Sequence, residues 1–100
     1  MSFKLSRAWA EVSLDHIAHN AREIRRFTDK KASIMGVVKA DAYGHGVQNI
    51  ASTLVENGVD RLAVSMLDEA IQLRQQGFHV PIMILGYTSP DRIDEIIEND

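Results

Sequence analysis

Cysteine is absent from the 100-residue chain, so disulfides and thiolate metal sites are excluded. A cysteine-free chain suits a reducing cytosol. Positive charge is sparse: eleven lysines and arginines against fourteen acidic residues leave a net charge of −3. With no basic stripe or Lys/Arg run, nucleic acid is not an expected partner. Long apolar runs are missing too. None approaches the roughly 18–20 residues of a membrane span, and Met1 to Arg7 lack the apolar stretch of a signal peptide. The expectation is a cytoplasmic protein without membrane association. Metal-ligand spacing is also lacking. His16 and His19 share one helical turn, but nothing pairs them with a carboxylate in a zinc pattern. There is no low-complexity segment, flexible linker or internal sequence repeat. What remains is ordinary for a globular chain, 45% apolar and 25% charged, with length for one small domain and a modest core.

Apolar β-branched runs alternate with segments of helical periodicity, which predicts β/α units on a parallel sheet. The first predicted strand is Arg7 to Leu14. Ala10, Val12 and Leu14 alternate with Trp9, Glu11 and Ser13, the pattern of a half-exposed strand. Asp15 then reads as the cap of a helix whose apolar face is Ile17, Ala21, Ile24 and Phe27. Ser33 to Val38 is a continuous apolar run, expected of a strand buried on both faces, so the two strands belong to different sheets. Val47, Ile50, Ala51, Leu54 and Val55 follow helical spacing, and Asn57-Gly58 ends that helix. Leu62-Ala63-Val64 is a short buried strand. Ser65 with Asp68 resembles a capping box, and Glu69 adds negative charge to the first turn. Leu67, Ala70, Ile71 and Arg74 share a helix face that Gly77 closes. Pro81 to Gly86 is a further strand, with proline where no ladder donor is needed. Ser89-Pro90 reads as N-cap and first residue of a last helix carrying Ile93, Ile96 and Ile97. A closed barrel of eight such units needs roughly 200–250 residues. These units are either a small open sandwich or a piece of a larger barrel. The buried strands favour the piece, since a raw edge of Val, Ile and Leu is an aggregation hazard.

The chemistry concentrates in Val37-Val38-Lys39-Ala40-Asp41-Ala42-Tyr43-Gly44-His45-Gly46. Lys39 follows an apolar strand directly, where α/β proteins build active sites from loops. An amine held against apolar surface loses hydration, which favours the neutral nucleophile that condenses with an aldehyde. Gly44 and Gly46 free the backbone near a helix N-terminus, which favours an anion. Tyr43 offers an O–H donor beside it. Each residue also has a plainer role: Lys39 as a solvated charge, Asp41 as a turn or cap residue, His45 as a loop residue. The loop is neither a Walker A nor a G-x-G-x-x-G sequence. The residues alone support an α/β segment with an anion site after the second strand.

Val37 to Gly46 resembles the cofactor-attachment signature of the alanine racemase family at every position. Trp9-Ala10-Glu11-Val12 with Leu14-Asp15, Arg61-Leu62-Ala63-Val64 with Asp68-Glu69-Ala70, and Pro81-Ile82 with Leu85-Gly86 are similar to successive landmarks of the same family. The resemblance covers nearly the whole chain but only the first part of a family chain. It implies a pyridoxal-phosphate enzyme that interconverts L- and D-alanine to supply D-alanine for cell-wall peptidoglycan. The implied architecture is an N-terminal (β/α)8 TIM-like barrel and a C-terminal β domain, paired as a homodimer with a shared active site. Residues 1–14 would form a strand associated with the C-terminal domain, and residues 15–100 the first barrel units. Lys39 would hold pyridoxal phosphate as a Schiff base and serve as one of two bases, working on the D-alanine α-proton. Tyr43 would contact the cofactor phosphate, and Val37 and Leu85 would pack near the cofactor. The second base, a tyrosine of the partner subunit, matches neither Tyr43 nor Tyr87, so these 100 residues alone are expected to be inactive. The alternatives are a same-fold racemase for serine or lysine, a non-catalytic pyridoxal-phosphate carrier, and an inactive fragment. Tyr43 to Gly46 count against the carrier.

Overall fold

The computed structural model describes residues 12–100. The predicted first strand, Arg7 to Leu14, lies outside these residues up to position 11. Its end is not strand: Leu14 opens helix α1 (Leu14–Phe27). The cap is Ser13 rather than Asp15. Ser13 has extended backbone angles, and its hydroxyl accepts the His16 N–H at 3.2 Å. Asp15 instead sits in the first turn, where its charge complements the helix dipole.

Strand β1 (Met35–Val37), helix α3 (Val47–Glu56), strand β2 (Arg61–Val64), helix α4 (Leu67–Gln75), strand β3 (Ile82–Ile84) and helix α5 (Ile93–Asn99) follow. A short element, α2 (Lys39–Tyr43), lies between β1 and α3. The strands form one sheet in the order β1-β2-β3. Both pairings are parallel, with Gly36 opposite Leu62 and Leu62 opposite Ile82. Consecutive parallel neighbours joined by helices are the repeating step of a β/α barrel.

Alternation divides the sheet into unequal faces. Leu62, Val64, Ile82 and Ile84 point into the core, against Ala21 of α1, Ile50 and Ala51 of α3, and Ala70 and Leu73 of α4. Leu62 and Leu73 are fully buried, each contributing roughly 1.5–3 kcal/mol of transfer free energy. Met35, Val37 and Met83 lie on the other face, which no described helix covers, and are exposed. The expectation that β1 is buried on both sides therefore fails, because helices cover only one side of the sheet. Only β2, the central strand, is buried along Leu62, Ala63 and Val64 as predicted.

The helical periodicities mostly hold. In α3, Val47, Ile50 and Ala51 are buried and Leu54 and Val55 pack on the core. Gly58 follows the Asn57 cap at φ +106, and a Cβ there would stand 2.8 Å from Arg25 Cγ. Arg25 ties α1 to the sheet by pairing with Asp60 at 3.0 Å, while Asp60 accepts the Ile34 N–H. The α1 stripe is only half used: Phe27 is 78% exposed, with the Arg26 guanidinium 4.5 Å from its ring centre. Arg74 is half-buried at the end of its helix face. Its guanidinium donates to the carbonyls of Phe78 and Val80 and to that of Asn99 in α5. Ser89 caps as predicted, but a 3₁₀ turn (Pro90–Arg92) precedes α5. Among the described residues no helix is long and apolar enough to cross a membrane.

Candidate active site

Parallel strands place their C-terminal ends on one rim, where α/β proteins bind ligands. Lys39, Ser65 and Leu85 stand on that rim after β1, β2 and β3 respectively. Val38 is buried, and its N–H donates to Ala63 O at 2.8 Å, so sheet pairing continues up to the lysine. Lys39 itself is half-buried. Among the described residues, no ion pair or hydrogen bond involves its ammonium group.

The backbone then reverses hand. Ala40, Asp41, Ala42 and Tyr43 all have positive φ, between 51° and 58°, followed by Gly44 at 86°. Ala40, Asp41 and Ala42 have ψ near 50°, which makes α2 a left-handed turn. For L-residues this costs roughly 1–2 kcal/mol each, so other interactions must offset it. The Ala42 N–H donates to Val38 O and the Gly44 N–H to Ala40 O, both at 2.9 Å. Two carboxylates complete the set. Asp41 Oδ1 accepts the Val47 N–H at 2.7 Å. Glu69 Oε2 accepts the Ala40 N–H at 2.6 Å.

Asp41 thus has the cap role, and it changes the anion expectation. The cap position of α3 is Gly46, which has no side chain, and the carboxylate of Asp41 fills that place. The anion at this helix N-terminus is therefore the chain's own. His45 is an exposed loop residue whose Nδ1 lies 2.9 Å from Ala42 O. Among the described residues no metal-binding cluster forms.

Val37 and Leu85, 42% and 52% exposed, lie towards the same open sheet face; Met83 is the residue in register with Val37 through Ala63, and Leu85 follows two residues further on. They form an apolar floor that ends at Lys39. Tyr43 is 60% exposed at the far end of the left-handed turn, and no described residue bonds its hydroxyl. An amine without a carboxylate partner, an apolar floor and a nearby phenol are a donor set that fits an aldehyde-bearing aromatic ring with an anionic tail. The capping expectation for α4 needs correction. The cap is Met66 rather than Ser65, and Glu69, not Asp68, reaches back to accept the Ser65 and Met66 N–H groups, both at 2.9 Å. Asp68 pairs instead with Arg92 at 2.7 Å. Hydrogen bonds from Arg92 hold the carboxyls of Asp68 and Glu95 below the usual range, and the Arg92 guanidinium is raised in turn. The Glu69 bridge escaped the sequence reading, which gave that residue only a helix-end charge. The glutamate three residues after Met66 was the one available signal.

Consecutive parallel β/α units with an amine at the rim of the first strand define a barrel-type α/β protein with a ligand site at its C-terminal rim. The family model for the alanine racemase N-terminal domain matches residues 12–100. Alanine racemase 1 of Clostridium acetobutylicum is 54% identical over 90 residues, 90% of this chain and 23% of that protein. The structure of alanine racemase from Bacillus anthracis with bound L-Ala-P aligns at TM-score 0.84 and 42% identity, over 87% of this chain and 22% of that one. Histidine racemase from Leuconostoc mesenteroides subsp. sake aligns at TM-score 0.78 and 37% identity, over 86% and 23% respectively. The chain therefore belongs to the alanine racemase N-terminal domain family, and its units are the opening part of a (β/α)8 barrel. It spans just under a quarter of the length of these relatives.

Proposed function

We propose that the full-length protein bearing this chain is a pyridoxal-phosphate-dependent amino-acid racemase, with alanine as its substrate. The observation that carries this reading is Lys39, an amine without an ion-pair partner on the rim of β1 in a chain of this family. When bound, pyridoxal phosphate supplies a conjugated ring that spreads negative charge from the amino acid's α-carbon. The chain's own residues do the rest. Lys39 Nζ is the group that would hold the cofactor's aldehyde carbon. With the cofactor and substrate bound, Lys39 Nζ would also be the base that moves the α-proton on one face, that of the D-enantiomer. Tyr43 donates its O–H to the phosphate. Val37 and Leu85 pack against the ring and exclude water from one side. The left-handed turn fixes the lysine backbone, so the amine meets the α-carbon in one orientation. The second base comes from a partner subunit in a homodimer.

Residues 15–100 serve as the first barrel units in this reading. The segment before α1 joins a C-terminal β domain and ends at Ser13 rather than Leu14. The enzyme works in the cytoplasm and supplies D-alanine for peptidoglycan. An alanine racemase and a histidine racemase both align with this segment, so the substrate calls for a direct test. A panel of L-amino acids on the full-length enzyme tests the substrate, with alanine expected to turn over fastest. Lys39→Ala tests the lysine. Loss of both the yellow absorbance and alanine interconversion is expected, and survival of both would overturn the assignment.

A further inference from the structure

We propose that Glu69 is a positioning residue for Lys39, clamping the loop after β1 to the loop after β2. The proposal rests on the reading of Lys39 as the cofactor lysine and deepens it. A glutamate in the first turn of a helix ordinarily caps that helix alone. Glu69 does this with Oε1, which accepts the N–H groups of Ser65 and Met66 at 2.9 Å. Its Oε2 reaches 29 residues back along the chain and accepts the Ala40 N–H at 2.6 Å. That N–H belongs to the peptide plane joining Lys39 to Ala40. Holding it fixes ψ of Lys39, and with it the direction in which the lysine side chain leaves the backbone. Ala40 also opens the left-handed turn. Its N–H is one of the first-turn donors that a helix cannot satisfy internally, whichever hand the helix has. Glu69 makes no ion pair with Lys39, because its oxygens are committed to backbone donors. It therefore places the amine without acting as its counter-ion.

Two substitutions in the full-length holoenzyme separate this role from helix capping. Glu69→Gln keeps the shape but replaces one acceptor with a donor, so one side of the clamp meets N–H with N–H. Glu69→Asp keeps the negative charge in the first turn of α4 but, one methylene shorter, cannot reach the α4 cap and Ala40 together. In Glu69→Asp, the Met66 amide should keep its protection against hydrogen exchange and the thermal midpoint should hold. The Ala40 amide should lose at least tenfold in protection. In both variants kcat for racemisation should fall about 10- to 100-fold, the effect of losing one charged hydrogen bond, with KM changed less than threefold. The yellow absorbance should also develop more slowly when pyridoxal phosphate is added to the apoenzyme. A rapidly exchanging Ala40 amide in the unaltered protein would overturn the clamp, and this measurement needs no variant to fold. Normal kcat and normal colour development in Glu69→Asp would do the same. Borohydride trapping and peptide mapping of the unaltered enzyme keep the two readings apart. Cofactor on Lys39 with unaffected variants sinks the clamp alone, whereas no cofactor on Lys39 sinks the lysine assignment and the clamp with it.

Discussion

Replacing Asp41 by alanine tests how the left-handed turn is held. The carboxylate accepts the Val47 N–H at 2.7 Å and serves as the cap that Gly46 lacks. Losing such a cap costs about 1–2 kcal/mol. Asp also tolerates the left-handed region better than Ala, which adds a few tenths of a kcal/mol. The expected total, about 1.5–2.5 kcal/mol, corresponds to a roughly 10- to 60-fold loss of protection where exchange occurs by local opening. Native-state hydrogen exchange on the full-length chain reads this at the amides of Val47 to Ile50, in the first turn of α3. Asp41→Asn keeps an acceptor oxygen and the left-handed tolerance. It loses only the charge on the helix end, about 0.3–1 kcal/mol, or a protection loss of about fivefold or less. The reasoning fails if Asp41→Ala leaves those amides within twofold of the original protein. It fails equally if Asn is as damaging as Ala.

Three further outcomes follow from the packing. Gly86→Ala puts a Cβ 2.5 Å from the Ser65 carbonyl oxygen, which already accepts the Gly86 N–H. The clash should cost roughly 1–3 kcal/mol and raise exchange at the Ser65 amide, read by the same method. Leu73→Ala empties a fully buried position of α4 and should cost about 2–5 kcal/mol in urea unfolding of the apoprotein. The Arg92 cluster gives a pH dependence. Asp68 and Glu95 are held below their ordinary values of 3.8 and 4.5 by hydrogen bonds from Arg92. Their contribution is full above the unfolded-state values and is lost as pH falls through the lower folded ones. Protection of the α5 amides should therefore stay level down to about pH 5 and fall below about pH 4. Arg92→Ala should remove that dependence, and an unchanged profile would refute the attribution.

Much of the fold was legible in residue order. The 3.6-residue period of Val47, Ile50, Ala51, Leu54 and Val55 marked α3, because a stripe on one side of a helix needs no knowledge of its partner. Asn57-Gly58 marked its end, because positive φ is a local demand that glycine meets. Within these residues β1 and β3 are covered on one face only, and the open face is the one that a closed barrel turns to its interior. Apolar runs record what a strand tolerates on each face, while the faces actually covered depend on where the helices lie.

The order of units, the lysine rim and the family were therefore set by local chemistry: period, turn residues and one ten-residue motif. The hand of the turn after Lys39 was not. Nothing in Ala40-Asp41-Ala42-Tyr43 prefers positive φ over the ordinary helix strongly enough to be read from the residues. That conformation is held from within the turn by Asp41, which caps α3, and from outside it by Glu69, which packing brings to Ala40 from 29 residues away. A strained backbone persists only where its surroundings hold it, and the Glu69 contact to Ala40 is the part that residue order could not show because it exists only in three dimensions.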